Sequence, residues 1–384
     1  MTPPASRVGP GFGVRPASAL AAAFADVRTP ALVVDEAAVE LNLRLMTKLA
    51  HSPDRWRAHV KTAKARWAME RLVAHGVTRF KASTTAELAT LLSLDVADVL
   101  LAYPAVGPTQ WRVAELASAH PGAAVSVLAD SVAGIRTWRR GPVGAFIDVD
   151  TGMGRTGVPV GDHAAAFAVA DELARRGIRL RGLHGYDGHL ADLPTPERAR
   201  KAADGLAAIT DLAEALQAVG HAVGELVVGG SHTFREILAT PTAWSERVTV
   251  GAGTVVYNDA RSLARFGDIG FTAAAAVLAR VVSRPAAGRV TVDAGLTAIQ
   301  VDAGRPHAES AGSAGLVAAS AAQEHLVLSC APGTEPEIGE LVTLVPRHVD
   351  TAVSQFGEMH VIGPDGRVRV EPVTARHHES VAAR

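Results

Sequence analysis

The chain has 384 residues but only one cysteine, Cys330, and only three tyrosines. A single cysteine excludes a disulfide framework and a zinc cluster built from several thiolates of one chain. Lys and Arg (38) nearly balance Asp and Glu (39), so the net charge gives no reason to expect nucleic acid or an anionic membrane as a partner. No apolar run approaches the roughly 18 residues that a membrane span needs. We therefore expect a soluble, cytoplasmic protein.

Apolar residues make up 48% of the chain, which is ample for one large or two medium domains. Short apolar runs alternate with amphipathic segments that end in glycine, and this alternation indicates parallel β/α units. About eight such units over residues 29–266 predict a (β/α)8 barrel whose first strand is 31–34. Residues 1–28 are expected to form an arm with a short helix. Short strands separated by Gly, Pro and Asp predict a mostly-β domain over 267–384.

In such a barrel the active site lies at the C-terminal ends of the strands. Lys61 follows the predicted strand "RAHV", and the glycine loops "GGSHT" (229–233) and "GAGT" (251–254) follow the last two strands. Barrels bind phosphate at such loops through backbone N–H groups and hydroxyls, although tight turns alone would also account for the glycines. A lysine and a phosphate site together suggest pyridoxal phosphate, whose aldehyde forms a Schiff base with lysine. The alternative for Lys61 is an ordinary surface lysine.

Three segments carry a family resemblance: "TPALVVDEAAVELNL", "HVKTAK" and "DVDTGMGRTGV". They resemble the alanine-racemase-type (fold type III) pyridoxal-phosphate enzymes, and within these the D-threonine aldolase and D-serine dehydratase branch. The resemblance covers nearly the whole chain and implies that Lys61 holds the cofactor as a Schiff base. Ala58 and Ala63 stand where the branch usually has Pro and His, and these two departures concern the shape of the pocket.

The same resemblance implies further contacts to the cofactor. Arg155 matches the arginine that contacts the phenolic oxygen, with a salt bridge at a helix start as its alternative role. Tyr186 matches the side chain that lies against the ring, with an ordinary loop aromatic as the alternative. The phosphate would be held by residues of the late loops, namely Gly230, Ser231, Thr233, Gly253, Thr254 and Tyr257. Racemases place an arginine at the ring nitrogen where this chain has Gly251, so the sequence does not identify that partner.

His348 and Asp350, in "VPRHVDTAV", indicate a divalent-metal site in the β domain. On a strand, residues two apart point the same way, and imidazole with carboxylate forms half of a site that waters and substrate would complete. Alone, the H-x-D pattern also fits a surface pair. The aldolase and dehydratase branch has a metal-binding pair here and racemases do not, although Arg347 replaces the usual Asn. A carboxylate in place of a thiolate favours Mn or Mg over Zn.

These features predict an enzyme that acts on a small amino-acid substrate. A racemase of the alanine type needs a tyrosine base from the β domain, and residues 267–384 contain no tyrosine. A metal beside the cofactor suits a β-hydroxy amino acid. The favoured reaction is retro-aldol cleavage to glycine and an aldehyde, with His189 as the base. The resemblance implies D-configured substrates and a homodimer.

Three other functions stay open from the sequence. One is dehydration of D-serine or D-threonine to a 2-oxo acid and ammonia, with Lys61 taking the α-proton. A second is racemisation or epimerisation with another group as base, which the tyrosine positions disfavour. The third is a pyridoxal-phosphate-carrying regulator on a single barrel, and the H-x-D pattern in a second domain disfavours it.

Overall fold

The computed structural model describes residues 12–312 and 315–379. The strands of the described residues are, in chain order, β1 (Ala31–Asp35), β2 (Ala58–His59), β3 (Arg79–Ala82), β4 (Asp98–Pro104), β5 (Ala124–Ala129), β6 (Val143–Asp150), β7 (Val158–Pro159), β8 (Leu180–Gly185), β9 (Glu225–Val228), β10 (Val248–Val250), β11 (Ala275–Ala286), β12 (Arg289–Val292), β13 (Ala308–Ser310), β14 (Val317–Ala321), β15 (Leu326–Ser329), β16 (Leu341–Pro346), β17 (Glu358–Ile362) and β18 (Val368–Pro372).

The α-helices of the same residues are α1 (Ala17–Leu20), α2 (Glu36–Leu49), α3 (Arg66–Ala74), α4 (Thr85–Leu92), α5 (Pro108–Ala119), α6 (Val132–Arg136), α7 (His163–Arg175), α8 (Thr195–Ala218), α9 (Phe234–Ala239), α10 (Ala260–Phe266) and α11 (Val349–Val353). The short helix expected near the N-terminus is α1, while residues 1–11 of the predicted arm lie outside the described residues. Within the described ranges, no helix is long and apolar enough to cross a membrane.

Backbone contacts divide the described residues into two units. The barrel unit contains residues 47–61, 68–253 and 377–379. The sheet unit contains residues 12–46, 62–67, 254–312 and 315–376. Both units are therefore assembled from separate stretches of the chain.

The barrel unit has eight parallel strands in the order β10-β9-β8-β6-β5-β4-β3-β2, and β7 pairs with β6. A bridge between Trp56 and Val250 and a hydrogen bond from Arg57 N to Val250 O (3.1 Å) connect β2 to β10 and close the ring. The strands β4, β5 and β6 are rich in Val, Leu and Ile and largely buried, as a parallel sheet covered by helices requires. The predicted barrel is confirmed.

A buried ionic network fills the barrel at the N-terminal ends of its strands. Arg57 is fully buried and bonds Asp98 (2.9 and 3.1 Å) and Glu225 (3.0 and 2.7 Å), which begin β4 and β9. Arg181 contacts Asp98 as well, at 2.9 and 2.5 Å. Burial alone would raise the pKa of Asp98, but the hydrogen bonds from Arg181 and Arg57 hold it below its ordinary value. The arginine of "RAHVK" is therefore structural.

The sheet unit is built on a nine-stranded sheet in the order β12-β15-β14-β13-β16-β11-β1-β17-β18. Its pairings are antiparallel except for β1 with β17, which is parallel. The mostly-β domain is confirmed, but the assignment of 31–34 to the barrel is wrong. Strand β1 pairs with β11 and β17 and is an interior strand of this sheet, third from the β18 edge. All five of its residues are buried, a pattern that suits a central sheet strand as well as a barrel strand.

Candidate active site

Lys61 lies in the turn that follows β2, at the C-terminal end of the barrel strands. The backbone around it is fixed on two sides. His59 N donates to Ala252 O (3.2 Å), and Val60 N donates to Lys81 O (2.9 Å). The Trp56 indole N–H also donates to Ala252 O, at 2.8 Å. Lys61 therefore occupies the position at which a barrel enzyme presents its functional side chains.

The glycine loops after β9 and β10 approach each other and the Lys61 segment. Gly253 N donates to Ser231 Oγ (3.1 Å), and Gly230 N donates to Thr233 Oγ1 (3.2 Å). A Cβ at position 253 would lie 2.4 Å from His59 O, so only glycine permits this approach. The loops thus gather hydroxyls and backbone N–H groups beside the turn that carries the lysine.

Arg155 and Tyr186 come together although 31 positions separate them in the chain. The Arg155 guanidinium carbon lies 5.1 Å from the Tyr186 ring centre. The loop that carries Arg155 is held by Asp150, whose carboxylate accepts from Gly152 N (2.9 Å) and Gly154 N (3.0 Å). Both residues follow barrel strands, Arg155 after β6 and Tyr186 directly after β8. The structure therefore brings together two residues that were predicted separately as contacts of the cofactor.

His189, the predicted base, lies in the 3-10 turn Gly188–Leu190 and is exposed. Its Nε2 lies 3.0 Å from the point where a Cβ at Gly152 would stand, so the imidazole packs on the loop that carries Arg155. The side chain is accessible to a small molecule at this end of the barrel.

Lys81 is a buried residue of this region that the sequence reasoning missed. It lies in β3 with 2% exposure, and its Nζ is 2.9 Å from His184 Nε2. His184 Nδ1 is 2.7 Å from Asp148 Oδ1, and Thr156 Oγ1 donates to Asp148 Oδ2 at 2.7 Å. Burial lowers the pKa of Lys81 to about 7, an effect that Asp148 opposes and Lys61 reinforces. No sequence motif singles out Lys81, because a lysine in a short strand that alternates charged and apolar residues is normally exposed.

In the sheet unit, His348 and Asp350 do not lie on a strand as predicted. Strand β16 ends at Pro346, His348 precedes α11, and Asp350 lies in its first turn. Val349 N donates to Asp259 Oδ2 (3.3 Å), which fixes the start of this helix. The two side chains still face each other, with His348 Nε2 3.8 Å from Asp350 Oδ2.

Asp302 lies on the other side of the His348 ring and was not found from the sequence. Its Oδ2 is 2.5 Å from His348 Nδ1, so the carboxylate orients the imidazole with Nε2 toward Asp350. Burial alone would lower the pKa of His348, but the Asp350 and Asp302 carboxylates raise it to about 9. Asp350 Oδ1 accepts from Thr62 Oγ1 (2.7 Å) and from Thr254 Oγ1 (3.4 Å).

Tyr257, predicted beside the phosphate, is fully buried in the sheet unit. Its hydroxyl donates to Ala63 O at 3.2 Å, and burial raises the pKa of its phenol. Ala63, one of the departures from the family pattern in the lysine segment, is also fully buried. The Tyr257 hydroxyl thus fixes the backbone two residues after Lys61.

Both groups that the sequence implies fit the residues present. For pyridoxal phosphate, the barrel unit offers Lys61 after β2, Arg155 against Tyr186, and a glycine cradle whose Gly253 tolerates no side chain. For a divalent metal, the sheet unit offers an imidazole nitrogen and a carboxylate oxygen 3.8 Å apart, close enough for one ion to bind both. No group of three or more His, Cys, Asp or Glu residues gathers around a metal position in the described ranges, so water or substrate would complete the coordination.

Comparison with known proteins identifies the family. A family model described as the N-terminal domain of alanine racemase matches residues 34–259, and a serine dehydratase domain model matches residues 274–362. The chain is 30% identical to D-threonine aldolase from Arthrobacter sp., over 85% of this chain and 87% of that protein. It is 29% identical to D-threo-3-hydroxyaspartate dehydratase from Delftia sp. (strain HT23), over 89% and 96% of the respective chains.

The solved structures give the same result. The crystal structure of D-threonine aldolase from Filomicrobium marinum matches with a TM-score of 0.83 and 26% identity, over 92% of this chain and 96% of that one. The alanine racemase model covers more than half of the sequence, and the match extends through the sheet unit. The chain therefore belongs to the alanine-racemase-type (fold type III) pyridoxal-phosphate enzymes, in the branch of D-threonine aldolase and D-serine dehydratase.

Proposed function

We propose that this protein cleaves D-β-hydroxy amino acids to glycine and an aldehyde, with pyridoxal phosphate on Lys61 and a divalent metal on His348 and Asp350. The hydrogen bond from Thr62 Oγ1 to Asp350 Oδ1 (2.7 Å) carries the proposal. Thr62 follows Lys61 in the sequence and belongs to the sheet unit, where its hydroxyl fixes the carboxylate that we propose as a metal ligand. Relatives named for D-threonine and D-threo-3-hydroxyaspartate, both β-hydroxy amino acids, support the substrate class.

Each residue has a distinct task in this reaction. Pyridoxal phosphate, when bound, supplies an electron sink for the charge left at Cα. His348 and Asp350 would hold the divalent metal, and a bound ion would supply Lewis acidity for the β-hydroxyl of the substrate. His189 accepts the hydroxyl proton while the Cα–Cβ bond breaks, and the hydroxyl-bearing carbon leaves as an aldehyde. A proton then replaces the lost bond at Cα, and the remaining amino acid is glycine.

The donor set bears on the choice of metal. An imidazole and a carboxylate, with no thiolate, suit Mn or Mg better than Zn. Because only two protein ligands are proposed, open positions remain for the substrate hydroxyl and for water. The Asp302 carboxylate behind His348 keeps Nε2 directed toward Asp350, where the two residues would hold the ion.

Dehydration is the second candidate, and the 29% identity to D-threo-3-hydroxyaspartate dehydratase favours it. In that reaction Lys61 takes the α-proton, the β-hydroxyl leaves, and the products are a 2-oxo acid and ammonia. A metal held by His348 and Asp350 would supply the Lewis acidity that helps the hydroxyl to leave. The two reactions need the same substrate class and the same cofactor and metal residues. The aldolase reaction breaks the Cα–Cβ bond, whereas the dehydratase reaction breaks the Cα–H and Cβ–O bonds. The products therefore distinguish the two reactions.

Product analysis with D-threonine tests the proposal. Glycine plus acetaldehyde is the expected result, because the Cα–Cβ bond breaks. Formation of 2-oxobutyrate and ammonia would replace the aldolase by the dehydratase, and L-threonine or an allo isomer would mean racemisation or epimerisation. A chelator should abolish turnover while the cofactor remains attached to Lys61. Full turnover in chelator would remove the metal from the proposal.

Attachment of the cofactor is checked without turnover. Borohydride reduction of the wild type should leave a pyridoxyl group on the peptide that contains Lys61, detected by mass spectrometry. Lys61→Ala should lose the label. Lys201→Ala, on the exposed side of α8, is the matched control and should retain it. An unlabelled wild type after incubation with pyridoxal phosphate would end the whole proposal.

A further inference from the structure

The proposed function leaves Lys81 without a role, although the residue is buried in the barrel and close to the cofactor motif. Its Nζ lies 2.9 Å from His184 Nε2, and His184 Nδ1 lies 2.7 Å from Asp148 Oδ1. Thr156 Oγ1 donates to the other Asp148 oxygen at 2.7 Å. This chain of contacts fixes the position of the Lys81 amine and determines whether the amine donates or accepts in its hydrogen bond with His184.

The protons in the chain can be assigned. Hydrogen bonds from His184 and Thr156 hold the pKa of Asp148 below its ordinary value although burial alone would raise it, so Asp148 is an acceptor. Burial, reinforced by Lys81, lowers the pKa of His184, so the imidazole is neutral with its proton on Nδ1. His184 Nε2 must then accept from Lys81. The Lys81 amine has two N–H donors when neutral and three when charged, and this contact uses one of them.

The amine lies beside the glycine loops. A Cβ at position 251 would stand 2.7 Å from Lys81 Nζ and 3.1 Å from Gly229 O. Gly251 and Gly229 directly follow β10 and β9. The lysine amine therefore fills the space that a side chain at 251 would need, at the ends of the two strands whose loops form the phosphate cradle.

Pyridoxal phosphate has four polar points, and the family resemblance implies partners for three of them. Lys61 takes the aldehyde carbon, Arg155 takes the phenolic oxygen, and the late loops take the phosphate. The ring nitrogen remains, and a buried acceptor without a donor is unfavourable. Resting on the proposed function, we propose that Lys81 Nζ donates a hydrogen bond to the ring nitrogen of the cofactor.

Charged groups from several elements face Lys81 and bear on its protonation. They are Asp148 of β6, Lys61 and Arg57 at the two ends of β2, and Asp187 after β8. The neutral His184 of β8 completes the set. A donor at the ring nitrogen differs from the carboxylate partner of many pyridoxal-phosphate enzymes, because it favours the unprotonated ring and so moderates the electron sink.

The test is a double-mutant cycle in which the cofactor supplies one of the changes. Apo-protein is titrated with pyridoxal phosphate and with its 1-deaza analogue, in which C–H replaces the ring nitrogen. The wild type should bind pyridoxal phosphate roughly 3- to 100-fold more tightly than the analogue, because the hydrogen bond from Lys81 to the ring nitrogen is lost. In Lys81→Met this ratio should fall to within about twofold of one.

Two further variants make the test decisive. Gly251→Ala should displace the amine and lower the ratio as Lys81→Met does, without removing the lysine. Lys201→Met, an exposed lysine of α8, should keep the wild-type ratio. Circular dichroism melting establishes that each variant is folded. If Lys81→Met keeps the wild-type ratio, the ring-nitrogen assignment is wrong while the cofactor assignment stands. A wild type that binds neither compound overturns the proposed function as well.

Discussion

At the scale of single residues, the barrel unit contains one lysine that could be predicted from the sequence as a site residue and one that could not. Lys61 could be found from the sequence because it ends a predicted strand within a family motif. Lys81 could not, because "RFKA" alternates charged and apolar residues, a pattern that normally places the charges in solvent. Arg79 and Lys81 do share one face, but that face points into the barrel, where Arg79 lies 4.0 Å from Glu225. Both residues can be buried or partly buried there because their partners, Glu225 for Arg79 and His184 for Lys81, come from strands that are distant in the sequence.

Asp302 provides a residue-scale prediction for the metal site. Its carboxylate contacts His348 Nδ1, and partners of this kind typically contribute 10- to 100-fold to metal affinity. We expect Asp302→Asn to weaken Mn²⁺ binding by about that factor and His348→Ala to abolish it. Isothermal titration of chelator-treated protein measures both.

Asp365→Asn is the matched control, because Asp365 is an exposed aspartate of the sheet unit that pairs with Arg367. It should bind Mn²⁺ like the wild type. Equal affinities for Asp302→Asn and Asp365→Asn would show that the contact to His348 does not orient a metal ligand.

At the scale of elements, the strand and helix order of the barrel follows from local patterns, but the metal segment does not. "RHVDTAV" is rich in β-branched residues and predicts a strand. Instead Pro346 ends β16, and Val349 N donates to Asp259, which is 90 residues away in the chain. No side chain caps the helix from the preceding residue, so the local sequence carries no start signal. The prediction of two facing side chains survived because positions i and i+2 across a helix start can also converge.

The buried ionic network at the N-terminal ends of the barrel strands gives a prediction at the scale of elements. Arg57→Met would leave Glu225 with Thr249 as its closest hydrogen-bond donor (2.6 Å) and would remove one of two arginines from Asp98. Breaking a buried pair by removing one partner costs about 3–5 kcal/mol. We expect the urea midpoint at pH 7 to fall accordingly.

The contribution of Glu225 to the pH dependence should change sign in this variant. In the wild type, Arg181 and Arg57 hold the pKa of Asp98 below its ordinary value, and Arg57 does so for Glu225. This stabilisation is therefore present at neutral pH and is lost as pH falls through the folded-state pKa values. Without Arg57, burial raises the pKa of Glu225, and protonation then stabilises the fold as pH falls toward 5. Urea midpoints at pH 5 and pH 7 test this. A variant whose midpoint falls with pH as the wild type's does would contradict it.

At the scale of the molecule, the sequence predicted two domains joined at residue 266, whereas the contacts interleave two units along the chain. The reason lies in β1. A run of five buried residues specifies a strand but not its neighbours, and β1 finds them in β11 and β17, more than 200 residues later. The architecture could thus be predicted from local patterns, while the partner of an individual strand depends on contacts that sequence periodicity does not record.

The placement of β1 predicts which strands a substitution in β1 will destabilise. Val33 is 1% exposed and packs in a core cluster with Leu278 and Ile362. Val33→Asn buries an amide among apolar side chains, which costs about 1–3 kcal/mol without a hydrogen-bond partner. Val370→Asn, at a 53% exposed position of β18, is the matched control and should change stability by less than about 0.5 kcal/mol. Hydrogen exchange should accelerate in β11 and β17 of Val33→Asn, because both lose their ordered neighbour, and should stay unchanged in β4 and β5. Faster hydrogen exchange in β4 and β5 instead would indicate that β1 packs in the barrel.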